Sequence, residues 1–405
     1  MTKLDQLIKD FCPRGVPFCK IIDVAEVGTG SSDRKDATKN GQYPFYVRSA
    51  EVFRKDNYEY DETAIIIPGE GGIGDIFHYA QGKYALHQRA YRIHFTTGDI
   101  NPKFAYYCFI AHFKTFILKK AVSATVTSIR KPMITDFTIP VPPIEVQNEI
   151  ARILDTFTEL TAELTAELTA RKQQYEYYRN SLLNFENSPI SLIKDLCPNG
   201  VEYKTLGELG EFYGGLTGKT KEDFKDGNAD FVTYKNIYSN PALSIDIEDK
   251  VKIDANEKQN TVRYGDVLFT GSSETPEECG MSSVLTARTD KKLYLNSFCF
   301  GFRFKQLNLF NPDFCKHLFR SYSLRQQLQK TADGVTRFNV SKKKMAKVTI
   351  PVPPLPVQNE IVRILDRFEA LCNDISVGLP AEIKARQQQY EYYRNKLLTF
   401  DEVKA

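Results

Sequence analysis

Apolar and aromatic residues recur at steps of three and four from Glu145 to Phe185: Val146, Ile150, Ile153, Phe157, Leu160, Leu164 and Leu168, then Tyr175, Tyr178, Leu182 and Phe185. This spacing holds one stripe on one face of an α-helix, and a stripe that follows the seven-residue repeat favours pairing with a second helix. One extra step of four interrupts the heptads, a stutter. The pattern returns near the C-terminus at Val357, Ile361, Ile364, Phe368, Leu371, Ile375, Leu379, Ile383, Tyr390, Tyr393, Leu397 and Phe400. At ~1.5 Å per residue each helix is roughly 60 Å long. Pro140, Pro142 and Pro143 precede the first helix, and Pro351, Pro353, Pro354 and Pro356 the second. Both clusters predict a stiff extended lead. The second helix is expected to break or kink near Gly378–Leu379–Pro380, where proline removes a backbone donor.

The long segments before these helices have a different pattern. Residues 17–138 alternate apolar runs with turn signals, as in YPFYVRS, TAIIIP from Thr63 and GKYALHQRAYRIHF. Residues 202–349 do the same in DFVTYKN, VRYGDVLFTGSS, MSSVLTA and LYLNSFCFGFRF. Such runs predict strands, and each segment closes on a helical stretch, FAYYCFIAHFKTFILKKA or FCKHLFRSYSLRQQLQKTA. Each is therefore a compact α+β domain.

The frame around these inserts is duplicated. LIKDFCPRGV from Leu7 matches LIKDLCPNGV from Leu192 at eight of ten positions, an offset of 185. The stretch from Ile139 matches that from Ile350 at 16 of 22, an offset of 211, and that from Arg171 matches that from Arg386 at 12 of 15, an offset of 215. The inserts share little beyond NPKFAYYCF at Asn101 and NPDFCKHLF at Asn311. A frame held constant while its two largest domains diverge is the pattern of a chain presenting two different readers on one support. Within the first helix, Thr161–Leu164 and Thr165–Leu168 both read TAEL. These are strong helix formers, in units close to one turn.

Composition narrows the chemistry. The chain has 405 residues, enough for two globular domains and extra elements, and its 42% hydrophobic content is that of a folded protein. Eight cysteines occur without CxxC pairs, so they read as reduced thiols and no metal site is expected. With neither a leader-like apolar run at the N-terminus nor a bilayer-length one elsewhere, the expected compartment is the cytoplasm and no membrane partner is expected. Gly69, Gly71, Gly72 and Gly74 lack the Gly-Lys-Ser/Thr ending of a phosphate loop and read as a turn between strands. No methyltransferase, nuclease or hydrolase motif is present, so no catalytic residue is assigned.

The net charge of +3 balances 54 Lys+Arg against 51 Asp+Glu, so any nucleic-acid surface must be local. Candidate DNA contacts in the first insert are Arg48, Arg54, Lys55, Lys83, Arg89 and Arg92, with Arg130 and Lys131 just before the first helix. In the second they are Arg263, Arg288, Arg337, Lys342, Lys343 and Lys344, with Lys291 and Lys292 nearby. Duplex binding needs such cations for phosphates, and Arg or Lys for base edges. Each residue taken singly reads as a solvated charge, and the pattern points to DNA only together with the duplication.

The order of short repeat, variable domain, I-P-V-P-P-x-x-V-Q-N-E-I helix and QYEYYR helix end, then the whole again, resembles type I restriction–modification specificity (S) subunits. The TAEL units strengthen the likeness, which spans essentially the whole chain. The resemblance implies an α+β fold: two α/β target recognition domains joined by two long antiparallel coiled-coil helices in an internal pseudo-twofold duplication. The expected boundaries are 1–140 and 188–351 for the recognition domains, and 141–187 and 352–405 for the helices. Each domain would read one half of a bipartite site in double-stranded DNA. The helices would set the gap and dock two methyltransferase (M) subunits for adenine methylation, with restriction/translocase (R) subunits added. Their seam residues Val146, Ile150, Ile153, Phe157, Leu164, Leu168, Tyr178, Val357, Ile361, Ile364, Phe368 and Tyr393 are the candidates for these roles. S-adenosylmethionine is expected in the M subunits, and no cofactor in this chain. Two other readings remain at this stage: a bivalent protein-binding scaffold without DNA specificity, and a fused enzyme.

Overall fold

A computed structural model describes residues 3–120, 128–373 and 377–403. Five helices build the frame and tie the inserts to it: α1 (Pro102–Cys108), α2 (Ile144–Leu182), α3 (Pro312–Leu318), α4 (Leu355–Asn373) and α5 (Leu379–Leu397). The second frame helix is interrupted where expected: Val377 and Gly378 are not helical, and α5 starts at Leu379. Pro380 occupies the first turn of α5, where its missing N–H leaves no bond unmade. Ile375 lies outside the described residues.

Packing divides the chain into two compact units that do not follow chain order. One is Met1–Ala166 with Glu382–Ala405, and the other is Glu167–Ala381. Each unit therefore holds one insert, the start of the helix that follows it, and the end of the helix that follows the other insert.

In the first unit the insert is a six-stranded sheet. Tyr60–Pro68 lies between His78–Leu86 and Ala90–Phe95, Ala25–Thr29 forms one edge, and Tyr43–Tyr46 and Val52–Lys55 continue the other side. The apolar run in Tyr60–Pro68 is buried on both faces. Ile65 and Ile67 join the core with Phe104, Phe109 and Phe113, whereas Ala64 and Ile66 pack with Tyr84 and Leu86. Continuous rather than alternating hydrophobicity is what a doubly covered strand requires. The Gly69–Gly74 stretch is a turn between strands, with Gly71, Gly72 and Gly74 at positive φ.

The second unit spreads its strands over smaller sheets. One runs Gly210–Gly214, Cys299–Phe304, Val267–Thr270, Ser282–Val284, and another Lys250–Val251, Ala229–Val232, Leu293–Leu295, Thr261–Val262. The expected terminal helix is divided into α3 and Tyr322–Gln329. Both inserts close at the base on a two-stranded antiparallel ribbon. Phe18–Lys20 pairs with Thr138–Pro140, and Glu202–Thr205 pairs with Thr349–Val352. Incoming and outgoing chain are thus hydrogen-bonded neighbours, as an exchangeable insert needs.

Candidate nucleic-acid interface and its helix frame

The frame helices use two faces where the periodicity shows one seam. Val146, Ile150 and Leu154 are buried in the first core, and Val357, Ile361 and Leu365 in the second. Leu154 and Leu365 fall outside the seam read from sequence, and Ile153 and Ile364 inside it are only partly buried. The physical reason is that one face packs on the insert and an adjacent face meets the other helix.

The helix contacts are exchanged between the copies. In the first unit Phe157, near the start of α2, stacks on Tyr393, near the end of α5, at 5.5 Å and 21°. In the second, Phe368 of α4 stacks on Tyr178 of α2 at 5.2 Å and 23°. These are the same two positions of the repeat, with the partners swapped, and they give the antiparallel pairing expected. Each stack contributes about 1 kcal/mol beyond its buried area.

Polar groups beside each stack differ. The Tyr107 hydroxyl donates to Asp155 at 2.6 Å, and Lys103 pairs with the same carboxylate at 3.1 Å. At the matching place in the second unit, His317 meets Asp366 at 2.8 Å and the Tyr175 hydroxyl at 3.1 Å. A neutral ring satisfies both by accepting from Tyr175 at Nδ1 and donating to Asp366 from Nε2. Among the described residues His317, Asp366 and Glu369 have ligand-type atoms close enough to share an ion. Lys316 already sits 2.9 Å from Asp366 and 3.0 Å from Glu369, filling that cationic position. Burial favours the neutral amine, yet the two carboxylates outweigh it and raise the Lys316 pKa.

The candidate cations fall into two groups. Arg48 and Arg89 both bind Glu70, at 2.8 and 3.2 Å, and hold its carboxyl below the usual range. Arg92 pairs with Glu62 and Glu26 and stacks over Tyr60 with only 14% of its side chain exposed, so it is built into the sheet. Lys55 is tied to Ser32 and Glu59, Lys344 to Asp333, and Lys291 to Asp230. Lys83 lies over Tyr58. Arg54, Arg130, Lys131 and Lys343 are exposed, with no carboxylate partner among the described residues.

Two clusters in the second insert keep their charge facing outward. Arg263 and Arg288 line a cavity of about 350 Å³ with Tyr264, whose ring lies 4.4 Å under the Arg288 guanidinium. Its inner wall is set by Asp266, which is buried and accepts from Arg303 at 2.6 Å, Tyr213 at 2.7 Å and the Arg263 amide at 2.8 Å. On another side Arg337 donates to Ser272 Oγ at 3.1 Å, and Lys342 lies over Phe300. Guanidinium and ammonium groups held by neutral partners remain available for phosphate oxygens. Asp266, Arg303 and Tyr213 had no sequence signal, because residues far apart in the chain make the cluster.

An N-terminal tie adds pH dependence. Glu149 on α2 accepts from Arg152 at 2.7 Å and Lys3 at 2.9 Å, which lowers its pKa to about 2. A depressed carboxylate contributes stability above its ordinary pKa and loses it as pH falls through the folded value. Glu149→Gln is expected to cost about 1 kcal/mol at pH 7, limited by solvent screening of Lys3. The difference between melting curves of wild type and variant should close as the pH is taken from about 4.5 toward 2.

The geometry defines a class: a duplicated two-domain chain whose two divergent domains are mounted identically on shared helices. A family model described as type I restriction modification DNA specificity domain matches this chain twice, at residues 13–171 and 198–385. The chain belongs to that family. It is 29% identical over 386 residues to a putative type I restriction enzyme specificity subunit of Haemophilus influenzae, covering 89% of each protein. To the EcoR124I/EcoR124II specificity subunit of Escherichia coli it is 34% identical over 272 residues, 64% of this chain and 61% of that one. A crystal structure of the S subunit from M. genitalium has the same fold, with a TM-score of 0.55 at 15% identity over 95% of this chain and 96% of that one. A structure from a study of type I R-M complex assembly gives 0.58 at 14% identity over 95% and 98%.

Proposed function

We propose that this specificity subunit reads a bipartite duplex site, one half through each insert, and carries two M subunits on its frame. The exchanged helix pairing supports this reading most directly, since two equivalent mounts hold two unlike domains. Recognition belongs to this chain. Methyl transfer belongs to the M subunits with their S-adenosylmethionine, and R subunits add cleavage. Long-read detection of methylated motifs in cells with and without the gene tests the reading. A bipartite adenine-methylated motif should vanish on deletion, and an unchanged methylome would sink it.

Where the M subunits dock is indicated by exposed identity between the copies. Gln173, Glu176 and Tyr177 fall on one face of α2 by helical spacing and are exposed, and Gln388, Glu391 and Tyr392 repeat them on α5. Tyr177 is 55% and Tyr392 60% exposed. Packing within the chain does not account for an identical exposed tyrosine in both copies, whereas one partner bound twice does. Tyr177→Ala with Tyr392→Ala should leave melting unchanged and weaken M capture on the order of tenfold per site, as loss of an aromatic anchor does. Unchanged M stoichiometry at limiting concentration would place docking elsewhere.

A further inference from the structure

In each unit one buried glutamine ties the insert to its helix. Gln147, on the first turn of α2 and without exposed surface, accepts from the Asn101 amide at 2.8 Å. Its Nε2 donates to Asp99 O at 2.7 Å and to Pro142 O at 2.7 Å. Gln358 on α4, equally buried, accepts from the Asn311 amide at 2.8 Å and donates to Leu309 O at 3.0 Å and Pro353 O at 2.8 Å. The next residue adds an outer bond: Asn101 Nδ2 donates to Asn148 at 2.6 Å, and Asn311 Nδ2 to Asn359 at 2.8 Å. The same asparagines cap α1 and α3 through Oδ1, at Lys103 N (2.7 Å) and Asp313 N (2.9 Å).

Two inserts with different sheets thus reach their helices through one set of bonds. Apolar packing between insert and helix is non-directional and tolerates a small roll. Hydrogen bonds are directional, and a buried amide left unpaired is costly. Each glutamine bonds the insert on one side and the proline lead on the other, so a roll of the insert breaks several bonds together.

We infer that Gln147 and Gln358 are positioning residues that fix the attitude of each reader on its helix and thereby hold the half-site gap to one length. The inference rests on the bipartite reading proposed above. Gln147→Met keeps the bulk of the side chain and removes its bonds. In cells carrying the full set of subunits, both half-motifs should persist, while methylation spreads to sites with the gap one base pair longer or shorter. Off-gap methylation should rise on the order of tenfold, the ratio that a loosened register of modest free energy produces. Gln358→Met should do the same. Asn148→Ala removes only the outer bond at an exposed position and should relax the gap less, with an unchanged melting temperature. Loss of methylation at every site without off-gap sites, or an unchanged gap in both the Gln147 and Asn148 variants, would overturn the inference. Absence of any gene-dependent bipartite motif in the wild type would instead overturn the reading beneath it.

Discussion

Replacing residues 17–138 with the matching segment of a relative should change one half of the methylated motif and leave the other half and the gap as they were. The antiparallel pairing of Phe18–Lys20 with Thr138–Pro140 closes the insert at its base, so both junctions lie side by side. The frame surface beneath is already generic. Val146, Ile150 and Leu154 support the first insert, and the identical residue types Val357, Ile361 and Leu365 support the second, whose sheets are different. Gln147 and Gln358 make the same bonds to both inserts. A new insert that brings an Asn-Pro helix start therefore finds every partner it needs. Methylation at the old half-motif should fall by at least about a thousandfold, the lower end of the span between specific and non-specific binding. Methylome sequencing reads the result, and a change in both halves would show that the readers are coupled.

The duplicated frame was legible because its residues repeat at fixed offsets, and an internal repeat works as an alignment of two sequences. The break before Pro380, the Gly69–Gly74 turn and the closing helix of each insert followed from backbone chemistry alone. Leu154 and Leu365 were hidden, since a three-and-four spacing accommodates two adjacent stripes and periodicity cannot say which stripe faces which neighbour. The cations were the least legible. Arg48, Arg89 and Arg92 read as phosphate contacts in the chain, and their pairing with Glu70, Glu62 and Glu26 from other strands or turns could not be read there. Arg263 and Arg288 are 25 residues apart in the sequence and meet at one cavity. Partner choice among charges is a tertiary property, and no spacing rule reports it.

Inserting one further Thr-Ala-Glu-Leu unit after Leu168 should lengthen the gap between the half-motifs by roughly one base pair, since the ~6 Å added along the helix is only partly converted into separation. The α2 helix runs uninterrupted through this stretch, and among the described residues no buried apolar side chain falls between Leu154 and Leu182. Leu164 and Leu168 are half-buried and their neighbours Glu163 and Glu167 exposed, so neither core loses a residue when the helix grows. Four residues turn the helix by about 400°, a net rotation near 40°, and the leucine stripe stays close to its face. Two residues turn it by about 200° and carry Leu164 and Leu168 to the opposite side. That variant should lose methylation of the motif at any gap, while each insert keeps its own fold as judged by circular dichroism. The effect lies in the register along α2, whose Phe157 stacks on Tyr393 in one unit and whose Tyr178 stacks on Phe368 in the other. If the four-residue insertion leaves the gap unchanged, the helix is not the ruler, and the repeated TAEL units are neutral length variation in an exposed stretch.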